Sequence, residues 1–370
     1  MSGAAGDGMA VGGKINYRKS MRSQRNMNAF WDEWLRQKGV VRGENGQAPL
    51  ASHLEQVAAL ENGSVLAPLE NFVLIRVEGE DAAAFLQGQL SNDIREVTAG
   101  CAQYSTYSTA KGRMLASFLI WRHEGAYCLM VSADIAEAVA KRLAMFVLRS
   151  KVKVTLDRDW SLLGLSGILA RSELQKHFPG LASLEKMQVE AQSEAALVAL
   201  PNGGYLLALK DGCGIGEDIA RAEGLQAALA QAWALRDIQA GIAWVVQATQ
   251  EQFVPQMANM ELIGAVNFKK GCYPGQEIVA RSQYLGKMKR RMFKVSFDTA
   301  LPVGAKLYSP QLPDQSIGML AAVCQLGDGA YLGLAVAQSQ TWEAGIFADE
   351  EHTIALHRLE LPYAIESVTE

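Results

Sequence analysis

The stretch Phe268–Arg281, FKKGCYPGQEIVAR, gathers two glycines, a proline, a cysteine, an amide and a carboxylate within a few positions. Gly271 and Gly275 permit positive φ or a close backbone approach, and Pro274 stiffens the turn between them. Cys272 therefore lies in a constrained loop, flanked by Lys269, Lys270 and Arg281. Cations near a thiol favour the thiolate, which is its nucleophilic and metal-binding form. Gln276 and Glu277 can orient or accept hydrogen bonds in the same place. The same residues also fit a plainer reading, a small cysteine buried in a tight turn. Two other clusters carry less. Gly212-Cys213-Gly214-Ile215-Gly216 lacks the third glycine of a dinucleotide loop at the right spacing and reads as a flexible loop. His352 and His357 stand too far apart in a strand region to make a good metal pair.

The elements that must position Cys272 mix strands and helices. Phe72–Val77 is β-rich, and Asp81 is placed to cap a short helix over Ala82–Leu90. Met114–Trp121 and Ala126–Val131 read as strands joined by a His-Glu-Gly turn. Asp134 with Glu137 makes a capping-box pattern, opening a helix with Ile135, Val139, Leu143 and Val147 on its apolar face. Val152–Leu156 reads as a strand, and Trp160–Ala208 as a second unit of strands and a helix. Arg221–Val246 contains a helix with Leu225, Leu229 and Trp233 four residues apart. After Met292 come only short strands, the pattern of a small barrel-like domain. Without regular βαβ spacing the chain is α+β.

Composition narrows the function classes. The 370 residues suggest two or three domains, and 49 % apolar with 20 % charged content is that of a globular protein. A net charge of −4 argues against wholesale coating of nucleic acid, and no apolar run approaches the ~18 residues of a membrane span. Five cysteines, none in C-x-x-C spacing, suit neither a disulfide framework nor a zinc site and fit a reducing, cytoplasmic setting. Residues 1–26 are rich in Gly, Ser and Asn, with five basic residues and no acid from Lys14 to Arg25. They read as a disordered tail, an upstream start or a transit peptide. A short helix at Phe30–Gln37 and a linker at Gly39–Pro49 follow.

Lys270-Gly271-Cys272-Tyr273 with Gly275-Gln276-Glu277 resembles the K-G-C-Y-x-G-Q-E signature of the folate-binding YgfZ family. That family is related to mitochondrial iron–sulfur assembly proteins and to the glycine-cleavage T-protein. Further blocks agree in order: Gln87-Gly88-Gln89 through Asp93, Ala110-Lys111-Gly112-Arg113-Met114, and Phe253-Val254-Pro255-Gln256 with Asn259. Together they span about Ser64 to Arg291.

The resemblance implies a T-protein-like ring of three domains around a central folate site, ending in a small β-barrel-like domain. The expected division is an N-terminal extension (1–60), a discontinuous folate-binding α+β domain (61–157 plus 231–290), a second α+β domain (158–230) and the terminal domain (291–370). It implies tetrahydrofolate, or a one-carbon derivative, as cofactor. It also implies a role in assembling or repairing iron–sulfur clusters in client enzymes, including a radical enzyme of tRNA thiolation. The partners are those enzymes, with no direct nucleic-acid contact and no membrane. Cys272 maps onto the family's reactive cysteine. Trp233, eight residues before Gly241, maps onto an aromatic placed against folate. Phe72 maps onto a second pocket aromatic that is Trp in the family, so stacking is kept and an indole N–H is not. Lys270, Gly271, Tyr273, Gln276, Glu277 and Arg281 complete the expected cofactor-binding set. The basic run Lys287, Lys289, Arg290 and Arg291 could receive an anionic glutamate tail or be a solvated strand approach. No metal site on this chain is expected.

Two alternatives remain open, so whether the chain is an enzyme is undecided. T-protein carries adjacent aspartates where this chain has Ala116 and Ser117, which weakens an aminomethyl or one-carbon transferase reading. A folate-gated scaffold without catalysis is the third.

Overall fold

A computed structural model of the chain describes residues 29–42, 48–284 and 288–365. The basic N-terminal segment and Lys287 lie outside these residues. The architecture is three sheets with helices between them. The first sheet has five antiparallel strands in the spatial order Gln103–Ser108, Met114–His123, Ala126–Ser132, Phe72–Glu78, Lys153–Asp157. Met114–His123 is buried along nearly its whole length, so both its faces are covered. The helix Ala133–Met145 lays Ile135, Val139 and Leu143 on this sheet, as the heptad-like spacing demands.

Two expected caps are absent. Asp81 accepts from the Lys151 backbone N–H at 2.8 Å, and Asp134 from the Gln247 N–H at 2.8 Å. Neither bonds its own helix, because tertiary partners outcompete the local ones.

The second sheet joins distant stretches: Gln226–Ala227, Val65–Pro68, Trp160–Ser166, Tyr205–Lys210, Ala195–Ala199 and Val189–Gln192, in that order. Gln226–Ala227 pairs in parallel with Val65–Leu66. Leu225 and Leu229 therefore serve a strand and its flanks, and the helix holding Trp233 is only Ala230–Gln239. The helical spacing of those leucines was coincidental. The expected loop at 212–216 instead opens a helix, Gly214–Ala220, whose Gly216 packs beside Leu209 and Trp31. Trp31 and Trp34, on a helix over residues 29–37, dock onto this sheet's core; Trp34 Nε1 donates to the Ala220 carbonyl at 2.9 Å.

The third sheet is antiparallel, in the order Lys306–Leu307, Gly318–Gly327, Ala330–Gln338, Arg290–Phe297, Ala355–Leu359, Ile346–Phe347. Its two edges meet where Tyr308 and Phe347 exchange backbone hydrogen bonds of 2.8 and 2.9 Å. The sheet thus curls into a nearly closed barrel, which removes most of its free edge. The fold is α+β and barrel-terminated, as the sequence implies. Among the described residues no helix is long and apolar enough to cross a membrane.

Candidate functional site

Where the three sheets converge, the helix Ala230–Gln239 runs past the start of strand Phe72–Glu78 and past the barrel residues Ala321–Val323. Between them lies a cavity of about 470 Å³, within the size range of small-molecule sites. Its wall is aromatic. Phe72 and Trp244 meet edge to face with ring centroids 4.7 Å apart, and Tyr104 touches Trp244 from behind at 6.0 Å. Trp233 comes from the helix. It fits only because residue 164 of the second sheet is glycine: a Cβ there would lie 2.6 Å from the indole.

One helical turn after Trp233, and on the same face, stands Asp237. Its Oδ2 accepts from Trp244 Nε1 at 2.9 Å and its Oδ1 from Asn202 Nδ2 at 2.8 Å. Burial raises its pKa to about 6, against the pull of Trp244, Asn202 and Arg236 toward the ionised form. The Tyr104 hydroxyl is held in its protonated form, by burial first and by the Asp237 charge second. The cavity therefore presents ring faces with the Asp237 carboxylate buried among them and Asp134 at its rim, an arrangement that suits a flat, polar heterocycle with N–H donors on one edge.

Cys272 belongs to a different place. None of Cys272, Lys270, Gly271, Tyr273, Gln276, Glu277 or Arg281 lines this cavity. Cys272 is exposed, so the reading as a buried structural cysteine is set aside. Cys128 and Cys324, by contrast, are buried, with thiols pushed up to about 12. The loop is tethered by Lys270. Its ammonium donates to the carbonyls of Gln87 (2.6 Å) and Leu90 (2.5 Å), and it lies 5.0 Å from the Tyr273 ring. Burial lowers the Lys270 pKa to about 8, while Asp93 opposes the shift. Gly275 has φ +81°, and a Cβ there would lie 2.5 Å from the Thr109 carbonyl oxygen. The cysteine loop thus meets the Gln-Gly-Gln block through the Lys270 side chain and the Ala-Lys-Gly block at the backbone of Gly275. Gln276 makes only a long bond to the Lys270 carbonyl, 3.5 Å, and Glu277 and Arg281 are exposed on the following helix, Gln276–Tyr284.

Two members of the basic run are already engaged. Arg291 is paired with Glu261 and donates to the Gln256 carbonyl at 2.8 Å; Arg290 donates to the Ser316 carbonyl at 3.3 Å. Lys289 is exposed, and Lys287 lies outside the described residues.

Of the expected set, the structure brings Phe72 and Trp233 together and keeps both apart from the cysteine loop. Trp244, Asp237 and Asn202 were missed. The signal for Asp237 was present: an acid four residues after Trp233, on the apolar face of an amphipathic helix. Nothing local marks Asn202, which arrives from a turn of the second sheet.

The chain has known likenesses. Residues 33–199 match the model of the GCVT N-terminal domain family. The solved glycine cleavage system aminomethyltransferase T from Bartonella henselae superposes with a TM-score of 0.71 over 89 % of this chain and 96 % of that one, at 21 % identity. The two share a fold. A heterotetrameric sarcosine oxidase from Corynebacterium sp. U-96 matches 45 % of this chain and 88 % of that one at 14 % identity, with a TM-score of 0.32, too low to carry an argument.

Proposed function

We propose that the chain binds tetrahydrofolate, or a one-carbon derivative, in the aromatic cavity. The observation that carries this reading is Asp237 fixed between Trp244 and Asn202 beside the Trp233 ring. A pterin is a flat bicycle whose aminopyrimidinone edge offers two adjacent N–H donors. A carboxylate is the acceptor that matches them, and indole and phenyl faces bury the ring. Phe72, Trp233 and Trp244 would hold the bicycle and Asp237 its edge. The bound folate would supply a reduced one-carbon carrier. The fold shared with an aminomethyltransferase T supports the same choice.

In this reading Cys272 is the reactive group. Among the described residues no cluster of three His, Cys, Asp or Glu side chains is placed to hold a metal. Cys272 acts as a single thiol group toward iron or sulfur on a client, in the assembly or repair of iron–sulfur clusters, including those of tRNA-thiolating enzymes. Its exposed loop suits contact with another protein, and its unpaired thiol suits the cytoplasm. Asp237 also keeps a second reading alive. A carboxylate absent at Ala116 and Ser117, on a strand, is present in the cavity from the helix Ala230–Gln239, so one-carbon transfer at a folate nitrogen retains a candidate acid–base group.

The test is an anaerobic titration with tetrahydrofolate, followed by tryptophan fluorescence, on the intact chain and on Asp237→Asn. Saturable binding that falls at least tenfold in the variant is expected. Absence of binding at millimolar ligand would remove the folate reading. Maturation of a client cluster in cells carrying Cys272→Ala then separates a reactive thiol, where activity is lost, from a scaffold, where it persists.

A further inference from the structure

Beside the aromatic cavity lies a second one, of about 570 Å³, between the helix Leu50–Asn62 and the barrel. Gln231, Val303 and Val323 line both, so the two cavities meet at these side chains. Their chemistry differs. The second is walled by Leu301, Pro302 and the Tyr331 ring, which is held flat by stacking on Phe297 at 5.5 Å and 7°. Its polar groups are an imidazole and two side-chain amides. His53 Nε2 lies 2.9 Å from the Gln325 carbonyl; a carbonyl only accepts, so Nε2 carries the proton and the ring orientation is set. The Gln325 amide nitrogen is bonded to the Gly327 carbonyl at 3.1 Å, which leaves its side-chain oxygen as an acceptor. The Gln231 amide makes no bond among the described residues and stands at the junction. Among the described residues no Lys, Arg, Asp or Glu is in the wall.

We infer that this second cavity is a specificity subsite for the tail of the same ligand. It takes a neutral aryl-amide segment, with an aromatic ring between Tyr331 and Leu301–Pro302 and its amide on the free groups of Gln231 and Gln325. The inference rests on the folate reading of the first cavity and deepens it. It receives the tail without Arg290 and Arg291, which are committed elsewhere. It also predicts what the subsite ignores. A wall with no cation gains nothing from added carboxylates, so additional glutamates leave affinity unchanged.

The full-length chain is titrated anaerobically with three ligands: tetrahydrofolate, its triglutamate, and 6-methyltetrahydropterin, which has the bicycle and no tail. Tetrahydrofolate is expected to bind at least tenfold more tightly than the methylpterin, with the triglutamate within twofold of tetrahydrofolate. Ala300→Trp, a filling change at an exposed wall position, is expected to weaken tetrahydrofolate at least tenfold and leave the methylpterin within twofold. Gln231→Leu, which keeps the volume and removes the amide, is expected to act in the same direction and less strongly. Equal affinity for tetrahydrofolate and methylpterin overturns the subsite and leaves the folate cavity standing. So does a triglutamate bound much more tightly than the monoglutamate, or a variant that weakens both ligands alike. If the intact chain binds none of the three, the folate reading itself falls, and the subsite with it.

Discussion

The aromatic cavity and the cysteine loop are built on opposite principles. The cavity is recessed and assembled from afar: Trp233 on a helix, Phe72 on a strand of the first sheet, Asn202 from a turn and Val303 from the barrel. The cysteine loop is exposed, and its chemistry is written in one unbroken stretch of sequence. Binding a small ligand requires excluding water from all sides, which a single segment cannot do. Offering one thiol to a macromolecule requires the reverse, a short rigid loop at the surface. The two need not touch to serve one function. A folate-occupied cavity and an exposed thiol can act on different partners.

The sharpest way to break this contrast is Trp233→Ala. The ring is buried against Gly164, so its removal is expected to cost about 3–5 kcal/mol and to abolish ligand binding. A melting temperature close to that of the intact chain would show that the cavity is not the packed structure described.

Asp237→Asn comes next. A carboxyl raised from 3.8 to about 6 by folding binds its proton more tightly when folded. The folded state is therefore penalised as pH rises through about 6, by roughly 2–3 kcal/mol at neutral pH, and is relieved as pH falls toward 4. The variant should show a flatter stability profile than the intact chain between pH 4 and 7 on urea unfolding. In the intact chain ligand affinity should fall below pH 6, where the carboxylate takes up a proton. Equal pH profiles for the two proteins would show that Asp237 is not the titrating group.

Lys270→Met removes the tether and leaves one buried and one half-buried carbonyl without the Lys270 donor, at about 1–3 kcal/mol. Proteolysis within the cysteine loop should quicken while pterin affinity holds. A loss of pterin affinity would mean that the loop and cavity are coupled. The smallest effect belongs to Cys272→Ala. An exposed side chain without a hydrogen bond should change stability by less than about 0.5 kcal/mol. Affinity for tetrahydrofolate should also be unchanged, and a tenfold change would merge the two regions into one site.

Much of this was legible before any coordinates. The Lys-Gly-Cys-Tyr loop announces itself because Gly, Pro and Cys at fixed offsets constrain the backbone locally. The order of blocks from Gln87 to Arg281 carries the resemblance to a T-protein-like ring, and the short terminal strands carry the barrel. Phe72 and Trp233 were found through that resemblance, and they do share a cavity. Local logic failed where a residue had two possible partners. Asp81 and Asp134 looked like caps and instead bind backbone N–H groups 70 and 113 residues away. Leu225 looked helical, and parallel pairing of its neighbour with Val65 drew the segment into a sheet. The sequence by itself determined which side chains could do chemistry, since that depends on residue type and near neighbours. Only the tertiary structure decided that Asp237 is buried and therefore proton-hungry, that Gly164 makes room for an indole, and that Arg290 and Arg291 are already spent. Each of those facts depends on what packs against the residue from another part of the chain, and burial and pairing are properties of the fold.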